Sequence, residues 1–212
     1  MQLNFGDTLN GDAINTMVYL GGYYTGDAQF RYTSDLYSGE VNYLLSETSD
    51  PLRLTSGFRY ARLNEEIDFT LFGDPTDNLQ VENDLYGWQL GLERSTLPRS
   101  DSIFSACLFG KPGIYFVDSR LTNITYPGVY NDTVNDSQYG VAFIGELGVK
   151  GSAQITERFS LDAGYQLMYI EGVALAGEQA TSISANTIPQ FGQVNSGGLL
   201  YQGFMFGGTL LW

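Results

Sequence analysis

The sequence predicts an all-β fold, a transmembrane antiparallel up-and-down β-barrel of about eight strands, with ten strands as the alternative. Apolar and polar residues alternate with a period of two through most of the chain, which is the pattern of a strand. Glycine (26), tyrosine (15) and phenylalanine (13) are abundant whereas proline (6) is scarce, a composition that suits strands better than helices. No run of about 18 apolar residues is present, so a membrane would have to be crossed by strands.

Seven segments carry the strand pattern. They are Ser34–Glu47, Leu52–Glu66, Asp84–Arg94, Ser102–Phe116, Gln138–Gly151, Arg158–Glu171 and Gly198–Trp212. Each is longer than the roughly 9–11 residues with which a tilted strand crosses the hydrocarbon. We therefore divide the chain into an N-terminal segment, residues 1–33, with at most one or two strands, and a barrel, residues 34–212. Thr16–Tyr24 is the candidate for an eighth strand.

Polar connections of two lengths separate the predicted strands. The long connections Leu121–Ser137 and Ala174–Ser196 alternate with short ones such as Ser46–Pro51, which is typical of a barrel with long loops at one end. The acidic clusters Asp74–Asn78 and Asn131–Asp136 are predicted to be solvated loops. Weak calcium binding is the alternative, but neither cluster has the fixed spacing and the glycine of a calcium loop.

Charge and composition exclude several classes of function. The net charge of −14, from 24 acidic and 10 basic residues, opposes binding to nucleic acid, since phosphates would be repelled. The chain has no histidine, which removes the usual hydrolytic sites and the imidazole ligands of metals. Glu65 and Glu66 are adjacent, but adjacent strand residues point to opposite faces and do not converge on a substrate. We therefore predict no catalytic residue, no metal site, no cofactor and no enzymatic activity.

Most predicted strands have one charged face and one apolar, aromatic face. In the second strand, for example, Leu54, Phe58 and Tyr60 oppose Arg53 and Arg59. A soluble β-sandwich would bury the apolar face in a core, whereas a membrane barrel would turn it towards lipid. Small glycines on the polar face suit a narrow lumen, and tyrosine and tryptophan on the apolar face suit a membrane–water boundary. Both observations favour the membrane barrel.

The two faces give two sets of candidate residues. Candidates for lining the lumen are Glu40, Arg53, Arg59, Gln89, Glu93, Lys111, Glu146, Lys150 and Asp162. Candidates for facing the membrane are Tyr37, Tyr43, Phe58, Tyr60, Tyr86, Trp88, Phe143, Tyr165, Tyr169, Phe204 and Phe206. Because side chains just fill an eight-stranded barrel, the lumen set predicts a salt-bridged plug. The alternative is a lining that selects a small solute or ion.

Five motifs follow one another along the chain: Leu36–Asn42, Gly57–Glu66, Leu85–Leu92, Gly145–Val149 and Gly164–Tyr169. They resemble the strand motifs of the β-barrel porin family of planctomycete-type bacteria. Their order and spacing agree with the family over roughly residues 34–212, although Gly145 stands where the family usually has proline. The N-terminal segment departs from the pattern, because the family carries additional strands before the first motif.

The end of the chain, Phe204–Trp212, resembles the C-terminal sorting signal of outer-membrane barrels, with Trp212 as the terminal aromatic residue. The resemblance implies a porin-like or structural protein of the bacterial outer membrane, whose partners are the lipid bilayer and the outer-membrane assembly machinery. A homo-oligomer or another envelope protein is a further partner to consider. The alternative functions are adhesion or assembly of a surface or membrane complex and, less favoured, binding by a secreted β-sandwich. Since Met1–Asn4 does not begin an export signal, we expect that signal to have been removed or to lie upstream.

Overall fold

A computed structural model of the chain describes residues 2–5, 9–11, 28–46, 52–71, 74–95, 103–125, 132–182 and 196–210. Seven long strands run antiparallel, each paired with the next along the chain. They are β3 (Ala28–Leu44), β4 (Leu52–Leu71), β5 (Asp74–Ser95), β6 (Phe104–Thr125), β7 (Asp132–Gln154), β8 (Phe159–Ala174) and β9 (Ser196–Leu210). Two short strands, β1 (Gln2–Phe5) and β2 (Leu9–Gly11), pair with β3, and a short helix, α1 (Ala176–Ser182), follows β8.

The all-β, up-and-down prediction is confirmed, but several strands are longer than expected. The predicted loop Asp74–Asn78 is the start of β5, and the predicted connection Leu121–Ser137 is mostly strand, because β6 continues to Thr125 and β7 begins at Asp132. Both predictions of a loop were wrong for the same reason. Aspartate and asparagine are typical of turns, yet here they belong to paired strands. In β5 the other face of the strand also carries the buried apolar residues Leu79 and Val81.

The N-terminal boundary also differs from the prediction. Strand β3 begins at Ala28 rather than at Ser34. On the edge of β3 that does not pair with β4, the neighbours are β1 and β2, with Phe5 opposite Gly39 and Leu9 opposite Leu36. The candidate strand Thr16–Tyr24 lies outside the described residues, and so does Trp212.

The sheet is curled into a half-barrel. The guanidinium of Arg59 on β4 lies 2.7 Å from the carboxylate of Glu146 on β7, and the hydroxyl groups of Ser34 on β3 and Tyr201 on β9 are 2.5 Å apart. Neighbouring strands are about 4.8 Å apart, so such contacts between distant strands require the sheet to bend round on itself. Within the described ranges, β9 pairs with β8 alone. The curled sheet therefore keeps two edges.

The chain turns into the concave interior at the end of β8. Gly172 has a φ of 84°, in the left-handed region that favours glycine, and the register between β8 and β9 shifts between Glu171 and Val173. Beyond this irregularity, Val173, Ala174 and Ala176 are buried. The predicted polar connection Ala174–Ser196 was therefore wrong in its first residues, which are apolar and belong to the interior.

Candidate functional site

The long strands β3–β7 divide into two halves with different surfaces. The proximal half comprises residues 37–44, 52–60, 86–95, 104–116 and 141–154, and the distal half comprises residues 31–36, 61–71, 74–85, 117–125 and 132–140. On the convex face of the proximal half, large apolar side chains are exposed, among them Leu90 (57%) and Trp88 (60%). Soluble monomers rarely expose a contiguous apolar patch of this kind. This convex face is a candidate surface for contact with lipid.

The predicted membrane-facing aromatic residues lie on this convex surface or on its continuation over β8 and β9. Those with exposed side chains are Tyr37, Tyr43, Phe58, Tyr86, Trp88, Phe143, Tyr169, Phe204 and Phe206. Tyr60 and Tyr165 are partly covered by aromatic neighbours, with ring centroids 5.0 Å apart for Tyr60 and Tyr86 and 5.3 Å for Tyr165 and Phe204.

The polarity of the two faces inverts between the halves. In the proximal half of β5, Trp88 and Leu90 are on the convex face and Gln89 is on the concave face; in the distal half, Glu82 is convex and Val81 is concave. Strand β4 changes in the same way, as its convex residues become polar from Arg62 onwards while its concave residues become mainly apolar. On β6 the convex face changes from Phe116 to Asp118. Three adjacent strands thus change at neighbouring register positions.

Hydrogen-bonded side chains mark the junction between the halves. On the convex face, Asp84 is buried beneath Tyr60 and Arg62: the Tyr60 hydroxyl donates to Asp84 Oδ1 at 2.6 Å, and Arg62 donates to both carboxylate oxygens at 2.7 and 3.0 Å. The rings of Phe116 and Tyr139 stack beside them at 5.7 Å. Rings with one polar tip and arginines with an apolar stem are the side chains that suit a boundary between an apolar phase and water.

The concave face of the proximal half holds a buried ion cluster, formed by Glu40, Arg59, Gln89, Lys111 and Glu146. Arg59 pairs with Glu146 at 2.7 Å, and Lys111 pairs with Glu40 at 2.6 Å and lies 3.9 Å from Glu146. The Gln89 amide donates to Glu40 at 2.5 Å. Five strands, β3 to β7, contribute one member each.

The buried ion cluster is balanced in charge, with two carboxylates and two cations. Arg59 (4% exposed) and Glu146 (8% exposed) are both removed from water, and Arg59 also donates to the Ser38 hydroxyl at 2.8 and 3.2 Å. The Tyr115 hydroxyl donates to Gln89. Buried charges are tolerated when they are paired and hydrogen-bonded in this way. Such pairing is expected of a filled interior rather than of a lining left open for a solute.

The remaining lumen candidates lie nearer to the turns of the proximal half. Arg53 is largely exposed and lies 3.9 Å from Glu93, and the Ser152 hydroxyl donates to Asp162. Lys150 is half-buried. Apart from Asp162, which is on β8, these residues belong to the same strands as the buried ion cluster, and none of them is a member of it.

Sequence reasoning missed a group of polar residues on the concave face of the distal half. Asn83 (0% exposed) and Glu65 are buried there among apolar residues; Asn83 hydrogen-bonds to Ala174 at the end of β8, and Glu65 accepts from the N–H of Ala176 just after it. The sequence signal was present, because Asn83 shares its face with Val81 and Leu85. Its partner was not predictable, since it lies 91 residues further along the chain.

The part of the chain that the structure describes contains no group of three or more acidic or cysteine side chains arranged to hold a metal ion. No helix among the described residues is long and apolar enough to cross a membrane. No family model, curated protein or solved structure matches the chain. The features of the described residues that bear on function are the two faces of the sheet.

Proposed function

We propose that the chain is a β-barrel of a bacterial outer membrane, porin-like in architecture, with a filled interior and a structural rather than a transport role. The inversion of polarity along β4, β5 and β6 carries this proposal. In the proximal half an apolar convex face surrounds paired charges, as in a strand between lipid and lumen. In the distal half a polar convex face surrounds apolar residues, as in a strand between water and a core.

A soluble β-sandwich does not account for this inversion. A sandwich buries one face of each sheet along its whole length. Here the same strand presents its apolar residues on opposite faces in its two halves, and Leu90 and Val81 of β5 are examples. If the surroundings of the strand change from lipid to water along its length, the change of the apolar residues from one face to the other is explained. The distal half then projects from the bilayer as paired strands with an apolar interior.

Closure of the barrel is part of the proposal, since an open sheet edge is not tolerated in lipid. We expect the β1–β2 edge to pair with β9, because Ser34, which lies opposite Gly11 in register, already contacts Tyr201 of β9. In a Cys107→Ser chain, Asn10→Cys should form an intramolecular disulfide with a cysteine at position 200 or 202. A denaturing, non-reducing gel would detect it as a faster band. A disulfide-linked dimer would instead mean that the two edges pair with a second copy, and the absence of any cross-link would refute closure by these strands.

The proposed function is tested by the mobility of the membrane-extracted protein on a detergent gel, with and without boiling. A closed barrel keeps its hydrogen bonds in detergent until it is heated, so the unboiled sample should migrate as a separate, compact band. Planar-bilayer recordings of the same sample should show no steady conductance, because the buried ion cluster fills the interior. A soluble protein with no shift on boiling would refute the membrane barrel, and a regular single-channel current would refute the structural role.

A further inference from the structure

Strand β7 continues into the distal half without its neighbour β8. The last register pair between these strands is Phe143 opposite Glu171, whereas β7 begins at Asp132. Strand β8 turns inwards at Gly172 and stays paired with β9 as it does so. Among the described residues, β7 is therefore paired from residue 132 to residue 142 with β6 alone. We name residues 135–140 the β7 edge.

Alternate residues of β7 direct their backbone groups away from β6. In an antiparallel ladder, successive residues turn their N–H and C=O groups to opposite sides of the strand. The Gln154 N–H donates to the Ile103 carbonyl, just before β6, and the β6–β7 register is continuous, so even-numbered residues face β6. Odd-numbered residues face the other side. This agrees with the approach of β8 to the Val141 carbonyl, whose oxygen would lie 2.6 Å from a Cβ at Gly172.

The β7 edge thus directs the N–H and C=O groups of Asn135, Ser137 and Tyr139 to the side on which β8 lies in the proximal half. The Ser137 N–H donates to the carboxylate of its neighbour Asp136 at 2.8 Å. That carboxylate oxygen accepts the bond that the carbonyl of an added strand would accept. An extended segment lying here would take over the bond and leave the carboxylate to pair with a cation.

The β7 edge has few of the features that protect strand edges from pairing. Such edges are usually short, bulged, or supplied with lysine or proline. Residues 135–140 contain no lysine, no arginine and no proline, and they lie in a ladder whose register does not shift. The side chains of Asn135, Ser137, Gln138 and Tyr139 are exposed. A long, regular and exposed edge of this kind is a template for a further strand.

The charge of the β7 edge indicates what such a strand carries. Asp136 is its single charged residue, in a chain with a net charge of −14. Opposite charges on facing residues of two strands are stabilising. A segment with a basic residue opposite Asp136 therefore fits the edge better than a neutral or an acidic one. On the other face of the strand, the exposed ring of Tyr139 suits a β-branched neighbour.

A second copy of the chain fits less well. Copies inserted in one membrane have the same orientation, so their β7 strands would run in the same direction and meet as a parallel pair. In register, such a pair sets Asp136 beside Asp136, and like charges at facing positions are destabilising. Complementary charge thus favours a different protein as the partner.

We propose that the β7 edge docks an extended, basic segment of another protein, which adds to the sheet as a strand in the place that β8 leaves. Its position outside the bilayer rests on the proposed function, since an open edge is not tolerated in lipid. The free edge itself is a feature of the fold and does not depend on it.

The test measures binding of a labelled peptide, Val-Thr-Val-Arg-Val-Thr-Val, to the full chain in detergent by fluorescence anisotropy. The sequence reads the same in both directions, so it allows parallel and antiparallel pairing. We expect saturable binding, and roughly fivefold weaker binding when glutamate replaces the central arginine. Asp136→Lys should reverse this preference. Absence of saturable binding, or the same preference with Asp136→Lys, would overturn the proposal.

Variants of Ser137 test whether the backbone of the edge is the site. Ser137→Pro removes one outward N–H but no bond of the β6–β7 ladder, so binding should weaken roughly tenfold while the fold is kept. Ser137→Ala keeps the N–H and is the matched control, with unchanged binding. If the two variants bound the peptide equally well, the β7 edge would not be its site.

A modified peptide gives the same test without changing the protein. N-methylation of two successive residues removes one N–H that faces the edge in either register, so binding to the unmodified chain should be lost. Unchanged binding would contradict strand addition. Chemical cross-linking of the chain without peptide addresses the other occupant, because a dimer that Ser137→Pro converts to a monomer would mean that a second copy occupies the edge. Mobility before and after boiling reports separately on the barrel, so failure of the proposed function and failure of the docking site give different results.

Discussion

Replacing Arg59 by methionine should lower the free energy of unfolding by about 3–5 kcal/mol, the usual effect of removing one partner of a buried ion pair. The guanidinium lies 2.7 Å from Glu146, and both residues are almost fully buried. Without it, the Glu146 carboxylate keeps Lys111 at 3.9 Å as its nearest cation. Guanidinium-induced unfolding of the protein in lipid vesicles would measure the loss.

Two further variants decide what the loss means. Removing both charges, as Arg59→Met with Glu146→Leu, should recover most of the stability, because the pair formed by Lys111 and Glu40 stays balanced. Arg53→Met is the matched control: its pair with Glu93 is exposed, so it should change stability by less than about 1 kcal/mol. If Arg59→Met were as mild as Arg53→Met, the buried ion cluster would not stabilise the interior.

The strand pattern made the seven long strands predictable but hid their length. Period-two alternation holds on both sides of Tyr60 and Tyr86, yet the apolar residues change face at these positions. If one face of a strand is expected to be apolar throughout, the predicted strand ends where the apolar residues change face. For this reason β5 was predicted to begin at Asp84, whereas it begins at Asp74. Polar residues on the convex face of a paired strand resemble those of a loop when only the sequence is read.

The candidate site was predictable in its composition and not in its pairing. Glu40, Arg59, Gln89, Lys111 and Glu146 share the polar face of their strands, which alternation alone indicates. That Arg59 reaches Glu146, three strands away, depends on the curl of the sheet. The contact between Asn83 and Ala174 depends on more, because the chain must also turn inwards at Gly172 before the two residues meet. Local pattern carries no information on such long-range contacts.

Placing a charge on the convex face should strongly destabilise the protein in one half of a strand and have almost no effect in the other. Leu90→Arg puts a cation on the convex face of the proximal half of β5. In a bilayer this should lower the free energy of unfolding by about 2–4 kcal/mol, the effect of arginine near the bilayer midplane on a barrel strand. Gln80→Arg lies on the same face of the same strand, ten residues away in the distal half. There the cation faces water beside Glu66 and should change stability by no more than about 0.5 kcal/mol.

This pair of variants separates lipid from water as the neighbour of the convex face. The side chain of Leu90 is more than half exposed, so in a protein surrounded by water an arginine there would displace no packed neighbour. Leu90→Arg would then be as mild as Gln80→Arg, and the boiled and unboiled bands of both variants would coincide. In a membrane barrel the charge must instead leave water for hydrocarbon, which opposes insertion as well as stability. A large loss for Leu90→Arg with none for Gln80→Arg would therefore place the edge of the bilayer between positions 80 and 90, where Asp84 lies beneath Tyr60 and Arg62.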